Sequence, residues 1–180
     1  MTKLSRILVP TDLSEHSRRA LLYGSWLATK QESALVILHV AAETSLWQLS
    51  AEFELYAGYN REVWPLNRIL SEATLELNHF LEPHMASYKQ LTCATKRVRM
   101  GAVAESILNV AEEESADLVI MSPRRGRGLR HWIRGSVTEQ VTRKSPCPVL
   151  SITPPLPSQP WRGKLVPHFF GWPRESVMTP

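Results

Sequence analysis

The chain predicts an α/β domain of Rossmann-like type: a doubly wound, five-stranded parallel sheet in the order 3-2-1-4-5, with helices on both faces. Short, nearly unbroken apolar runs at residues 7–9, 34–40, 118–121 and 149–152 have the β-branched character of strands covered on both sides. Between them lie segments of helical spacing, and strands alternating with helices imply right-handed crossovers and a parallel sheet. In that order the ligand position falls between strands one and four, where the strand order reverses.

After the first run, Ser14 stands where a helix N-cap belongs, and Ala20, Gly24, Leu27 and Ala28 continue a small or apolar stripe to about residue 29. Leu66, Ile69, Leu70, Ala73, Leu77, Phe80 and Leu81 trace one face of the next long helix. Pro65 suits its first position, and Pro83 is expected to stop or bend its far end. Residues 91–99 alternate weakly, as an edge strand does. Val103, Ile107, Val110 and Ala111 mark a third helix, and Val137 with Val141 marks the core side of a fourth.

Two segments stand outside this plan. Trp47, Phe53, Tyr56, Tyr59 and Trp64 gather between Ala41 and Trp64, with Leu46, Leu49, Phe53 and Tyr56 on one helical stripe. The stripe reads either as a lid or partner surface or, by the general rule for aromatic stripes, as an excursion packed on its own domain. Residues 154–180 hold seven of the 13 prolines together with Trp161, Phe169, Phe170 and Trp172, and read as an extended or partly disordered tail behind a domain of residues 1–153.

With 180 residues, 43% hydrophobic and 21% charged, the chain has the length and balance of one globular domain. No apolar run reaches membrane-spanning length and the N-terminus enters a strand directly, so the expected compartment is the cytoplasm. Cys93 and Cys147 are expected to be buried, reduced thiols. The net charge of +4 is local: Arg124, Arg125, Arg127, Arg130, Arg134, Arg143 and Lys144 face one acid, Glu139, across residues 123–144. A basic loop between a buried strand and a helix that opens on Gly135-Ser136 is suited to an anion, since backbone N–H groups and the helix dipole point at what lies above the strand ends.

Several chemistries are missing. Gly126 and Gly128 begin a dinucleotide fingerprint that His131 breaks, and neither a phosphate-loop Lys motif nor a Gly-x-Ser-x-Gly elbow occurs. The six histidines show no metal spacing, and His39, inside a buried strand, reads as a satisfied core residue. A dedicated hydrolase is not expected; at most a slow hydrolysis is.

The segments ILVPTDLSEHSRRAL (7–21), ILHV (37–40), VRMGAVAESILNVAEEESADLVIMS (98–122) and RGSVTEQVTRKSPCPVL (134–150), in this order, resemble the universal stress protein family across residues 3–153. The resemblance implies a stress-response regulatory module and a homodimer formed through the last strand, residues 149–152, with Val149 and Ile152 at its ends. It also implies an ATP site, with Mg, made by Pro10, Thr11, Asp12, Val40, Met121, Ser122, Arg125, Gly135, Ser136, Val137 and Thr138. Asp12 and Val40 would meet the adenosine part; Ser136, Val137 and Thr138 would meet phosphates. An ordinary helix cap is the other reading of Asp12 and of Ser136.

Nucleotide-binding members carry a Gly-x-x-Gly pair and, further on, Gly followed by Ser or Thr. Here Ser122 and Arg125 replace the early glycines, while Gly135 and Ser136 remain. A Cβ at such positions restricts the backbone's approach to a phosphate, and Pro123 removes one N–H. Arg124 and Arg125 offer side-chain contacts instead. Two further readings therefore stand beside ATP binding: a dimeric interaction module of the same fold without nucleotide and with an unknown protein partner, and, with thinner support, a polyanion or nucleic-acid binder using the Arg-rich loop.

Overall fold

A computed structural model describes residues 4–41, 66–86, 88–123 and 137–152. The elements run β1 (Arg6–Thr11), α1 (Glu15–Gln31), β2 (Ala34–Ala41), α2 (Leu66–Met85), α3 (Lys89–Thr92), β3 (Thr95–Met100), α4 (Val103–Glu113), β4 (Leu118–Met121), α5 (Val137–Lys144) and β5 (Val149–Ser151). The five strands form one parallel sheet in the order β3-β2-β1-β4-β5. This is the predicted order, and the reversal lies between β1 and β4.

Strand alternation divides the core into two layers. Ile7, Val9, Leu35, Ile37, Leu118, Ile120 and Leu150 face the side that α1 and α2 cover with Ala20, Leu21, Ala28, Leu77 and Leu81. Leu8, Val36, Leu38, Val40, Val119 and Met121 face the other side, against Ile107, Val110 and Ala111 of α4 and Val141 of α5. Because β1, β2 and β4 are covered on both faces, their sequences read as continuous apolar runs.

Helix α1 begins at the predicted cap: Ser14 is extended, with φ −87° and ψ 160°, and its hydroxyl accepts from Ser17 N at 3.3 Å. At its middle, Gly24 lets the helix approach β1, where an added Cβ would stand 2.6 Å from Val9 Cγ2. At the amino end of the sheet, Asp117 accepts from Ser5 N at 2.6 Å and Arg6 N at 2.9 Å, fastening the start of β1 to the start of β4. Glu114 pairs with Arg97 at 2.7 Å and with Arg6 at 3.5 Å beneath the same edge.

Three expectations need correction. Of the two effects expected of Pro83, an immediate stop is not seen: α2 continues two residues further, to Met85. The strand expected over residues 91–99 starts later, at Thr95, because Leu91 is buried on the short α3 turn. The thiols are free but less sheltered than predicted. Cys93 is exposed on the approach to the edge strand, and Cys147 is half-buried in the turn before β5.

Among the described residues no helix is long and apolar enough to cross a membrane, and no group of three or more His, Cys, Asp or Glu side chains is placed to hold a metal ion. The aromatic stretch between Ala41 and Trp64, the basic loop and the tail fall mainly or wholly outside the described residues, as do Arg125, Gly135 and Ser136.

Candidate functional site

Pairing registers bring the strand ends together. Leu8 is level with Val119 of β4, and Pro10 and Thr11 are level with Leu38 and His39 of β2. Val40 thus lies just past Thr11, on the same carboxyl edge as Met121 and Ser122. By alternation Pro10, Val40 and Met121 share the face covered by α4 and α5. Helix α5 leads down into β5, so its start, with Val137 and Thr138, lies toward this same carboxyl edge. Val137 is 36% exposed whereas Val141, one turn deeper, is fully buried, so of the two residues expected on the core side of this helix only Val141 is in the core.

The turn after β1 is held by side chains. Thr11 Oγ1 accepts from Leu13 N at 3.1 Å and lies 2.8 Å from Ser17 Oγ, while Ser17 Oγ donates to Ser14 O at 2.9 Å. Asp12 Oδ1 accepts from both the backbone N–H of Ser14, at 3.1 Å, and its hydroxyl, at 2.5 Å. Asp12 is therefore not the cap itself; Ser14 is, and Asp12 braces it. Between them Leu13 has φ 59°, a left-handed conformation that costs a non-glycine residue on the order of 1 kcal/mol. The surrounding hydrogen bonds hold that strained residue in place, and such outliers concentrate at functional turns.

His39 behaves as the core histidine expected from sequence. Its Nδ1–H donates to the carbonyl of Thr11 at 3.0 Å, which fixes the Nδ1-protonated tautomer and ties β2 to the end of β1. It lies on the α1/α2 side, with Thr11, and so behind the cleft and not in it. Sequence reasoning missed Ser17 and Leu13 as parts of this turn; the signal was the Thr-x-x-Ser-x-x-Ser spacing from Thr11 to Ser17, which puts three hydroxyls around one helix start.

Of the residues implied at the site, the structure gathers Pro10, Thr11, Asp12, Val40, Met121 and Ser122 at one edge, with Val137 and Thr138 on the adjoining helix. Val40 and Met121 are 9% and 5% exposed and supply apolar surface. Ser122 is already engaged: its hydroxyl donates to Ile152 O at 2.6 Å. Thr138, in the first turn of α5, accepts at its carbonyl from Thr142 Oγ1.

A five-stranded, doubly wound parallel sheet whose strand order reverses between β1 and β4 defines a Rossmann-like class of α/β domain. The sequence profile of the universal stress protein family matches residues 3–152. Universal stress protein MJ0577 of Methanocaldococcus jannaschii is 30% identical over 152 residues, 82% of this chain and 93% of that protein. Universal stress protein YxiE of Bacillus subtilis is 30% identical over 148 residues, covering 82% and 98%. The solved structure of MJ0577 superposes with a TM-score of 0.60 at 26% identity, over 86% of this chain and 99% of that one. The fold is likewise that of a universal stress protein crystallised in complex with cAMP, with a TM-score of 0.55 at 22% identity over 84% and 98%. This chain belongs to the universal stress protein family.

Proposed function

We propose that the protein is a regulatory module of stress response that binds an adenine nucleotide, ATP with Mg in the first instance, in the cleft between the ends of β1 and β4. The observation that carries this reading is the meeting of Asp12, Val40, Met121 and the first turn of α5 at one carboxyl edge. Val40 and Met121 supply the apolar wall for the base, and the braced Asp12 carboxylate is an acceptor suited to ribose hydroxyls. The first turn of α5, with Val137 and Thr138, favours negative charge through its dipole. When bound, Mg would neutralise phosphate charge beside this turn. That a protein of the same fold has been crystallised with cAMP supports an adenine nucleotide as the ligand class.

Occupancy would reach other proteins through a homodimer surface on β5, Val149–Ser151, which is one of the two outer strands of the sheet. Titration calorimetry with ATP and Mg tests the binding step. A dissociation constant below about 1 mM, weakened at least tenfold by Asp12→Ala, is the expected outcome, and absence of heat from folded protein overturns the reading.

A second reading, an interaction module of the same fold without nucleotide, is favoured by one feature. Ser122 stands where nucleotide-binding members keep glycine, and its side chain bonds to Ile152. Pro123 follows it without an N–H to offer.

A further inference from the structure

On the face opposite the proposed nucleotide cleft, the turn after β1 meets the middle of α2. Leu13, Leu75, Glu76, His79 and Phe80 line an open, mainly apolar cleft of about 560 Å³. Leu13 and Phe80 are partly buried against the core, but Leu75 is 63% exposed. The exposed Leu75 extends the apolar lining of this cleft outward.

Charge and reach single out the occupant. Glu72 and Glu76 sit one turn apart on α2, a spacing at which like charges repel, and no ion pair among the described residues engages either. Residues 42–65 are a poor match, since they carry Glu43, Glu52, Glu54 and Glu62 against Arg61 alone. Residues 153–180 are the complement: Arg162, Lys164 and Arg174 against Glu175, interleaved with Trp161, Phe169, Phe170 and Trp172. The family match stops at residue 152, so this segment is an addition to the shared domain.

The chain leaves the sheet on the right edge for such a contact. Leu8 is level with Val119 and Val119 with Val149, so Ile152 is level with Thr11, two strand spacings or roughly 10 Å away. From there 28 residues span up to about 90 Å when extended, ample to round the carboxyl edge to α2.

We propose that this cleft is the docking site for the chain's own C-terminal segment, residues 153–180. One aromatic ring fills the space over Leu13 and Phe80, and the basic residues lie against Glu72 and Glu76. Because Leu13 is wedged between Asp12 and Ser14, an occupied cleft presses on the turn that orients Asp12.

Hydrogen exchange on the nucleotide-free chain of residues 1–180 tests this together with zero-length carbodiimide coupling. Docking predicts amides within 153–180 slowed at least about tenfold relative to the Leu75→Arg variant, and a bond between Lys164, the segment's sole lysine, and Glu72 or Glu76. Leu75 is exposed enough to be replaced without disturbing the core, and the paired variant Trp161→Ser, Trp172→Ser should remove the same protection from the other side. In a mixture of heavy- and light-isotope chains the coupled peptides should be all heavy or all light. Fast exchange in the segment of the unaltered protein, protection that survives Leu75→Arg, or mixed-isotope couplings, which would make a second copy the occupant, each overturn the proposal.

Discussion

The hydroxyl of Ser122 donates to the carbonyl of Ile152 at 2.6 Å, so the end of β4 is tied sideways to the end of β5 at a position where the family resemblance implies a glycine in nucleotide-binding members. Replacing Ser122 therefore has two separable consequences. Ser122→Ala should lower stability by about 1 kcal/mol, the usual worth of such a bond, and leave ATP affinity unchanged. Ser122→Gly should cost a similar amount but strengthen ATP binding several-fold, because the backbone regains its freedom to approach phosphate. Urea denaturation and calorimetry on the two variants separate these effects, and equal affinities would argue against the loop's role.

Gly24 is the close-contact point between α1 and β1. Alanine is the better helix former by about 1 kcal/mol, yet its Cβ would stand 2.6 Å from Cγ2 of the fully buried, rotamer-restricted Val9. Overpacking of this kind costs about 1–3 kcal/mol, so Gly24→Ala should be net destabilising. A rise in thermal midpoint would show that the helix can shift away from the sheet.

Ser115 closes α4 with φ 47°, donating its N–H to Glu112 O at 3.0 Å while Ala116 N–H reaches back to Ala111 O at 2.9 Å. This is the left-handed closing turn that glycine fills best. Ser115→Gly should raise stability by about 0.5–1 kcal/mol, read as a higher denaturant midpoint at unchanged slope.

The two thiols should differ in reactivity. Burial pushes the Cys147 thiol above its ordinary value of 9.0, an effect that the hydrogen bond from Ser145 only partly offsets. Alkylation at pH 8 should therefore modify the exposed Cys93 well before Cys147. The folded state holds the Cys147 proton more tightly than the unfolded chain, so this group destabilises the fold progressively as pH rises past about 9, and Cys147→Ala should flatten the alkaline limb of the stability profile. Equal labelling rates for the two residues would contradict the burial.

The order of strands, helices on both faces of the sheet and the cap at Ser14 were legible in the sequence, because runs covered on two faces are apolar throughout and a hydroxyl before a helical stripe has one common use. Residues 91–99 were harder. Leu91 is as apolar as a strand residue but is buried by a single turn of helix, and a short apolar segment carries no period that separates the two. The Asp12 turn was half legible: the carboxylate was recognised, but its bracing of Ser14 and the positive φ of Leu13 are properties of backbone geometry that composition does not reveal. Cys93 was misplaced for a similar reason, since apolar neighbours in sequence become solvent-side neighbours where a turn meets an outer strand.

At the far side of the sheet, β3 carries Arg97 and Arg99 outward, clasped by Glu114 and Glu113 at 2.7 and 2.6 Å, with Lys96 turned to Asn78 on the other face. A foreign strand laid along this rim would run beside three cationic side chains, and an identical copy would bring its own row of cations against this one. Fibrillar stacking from that flank is thereby discouraged, which leaves the molecule polar in the sense of a tile with one glazed edge.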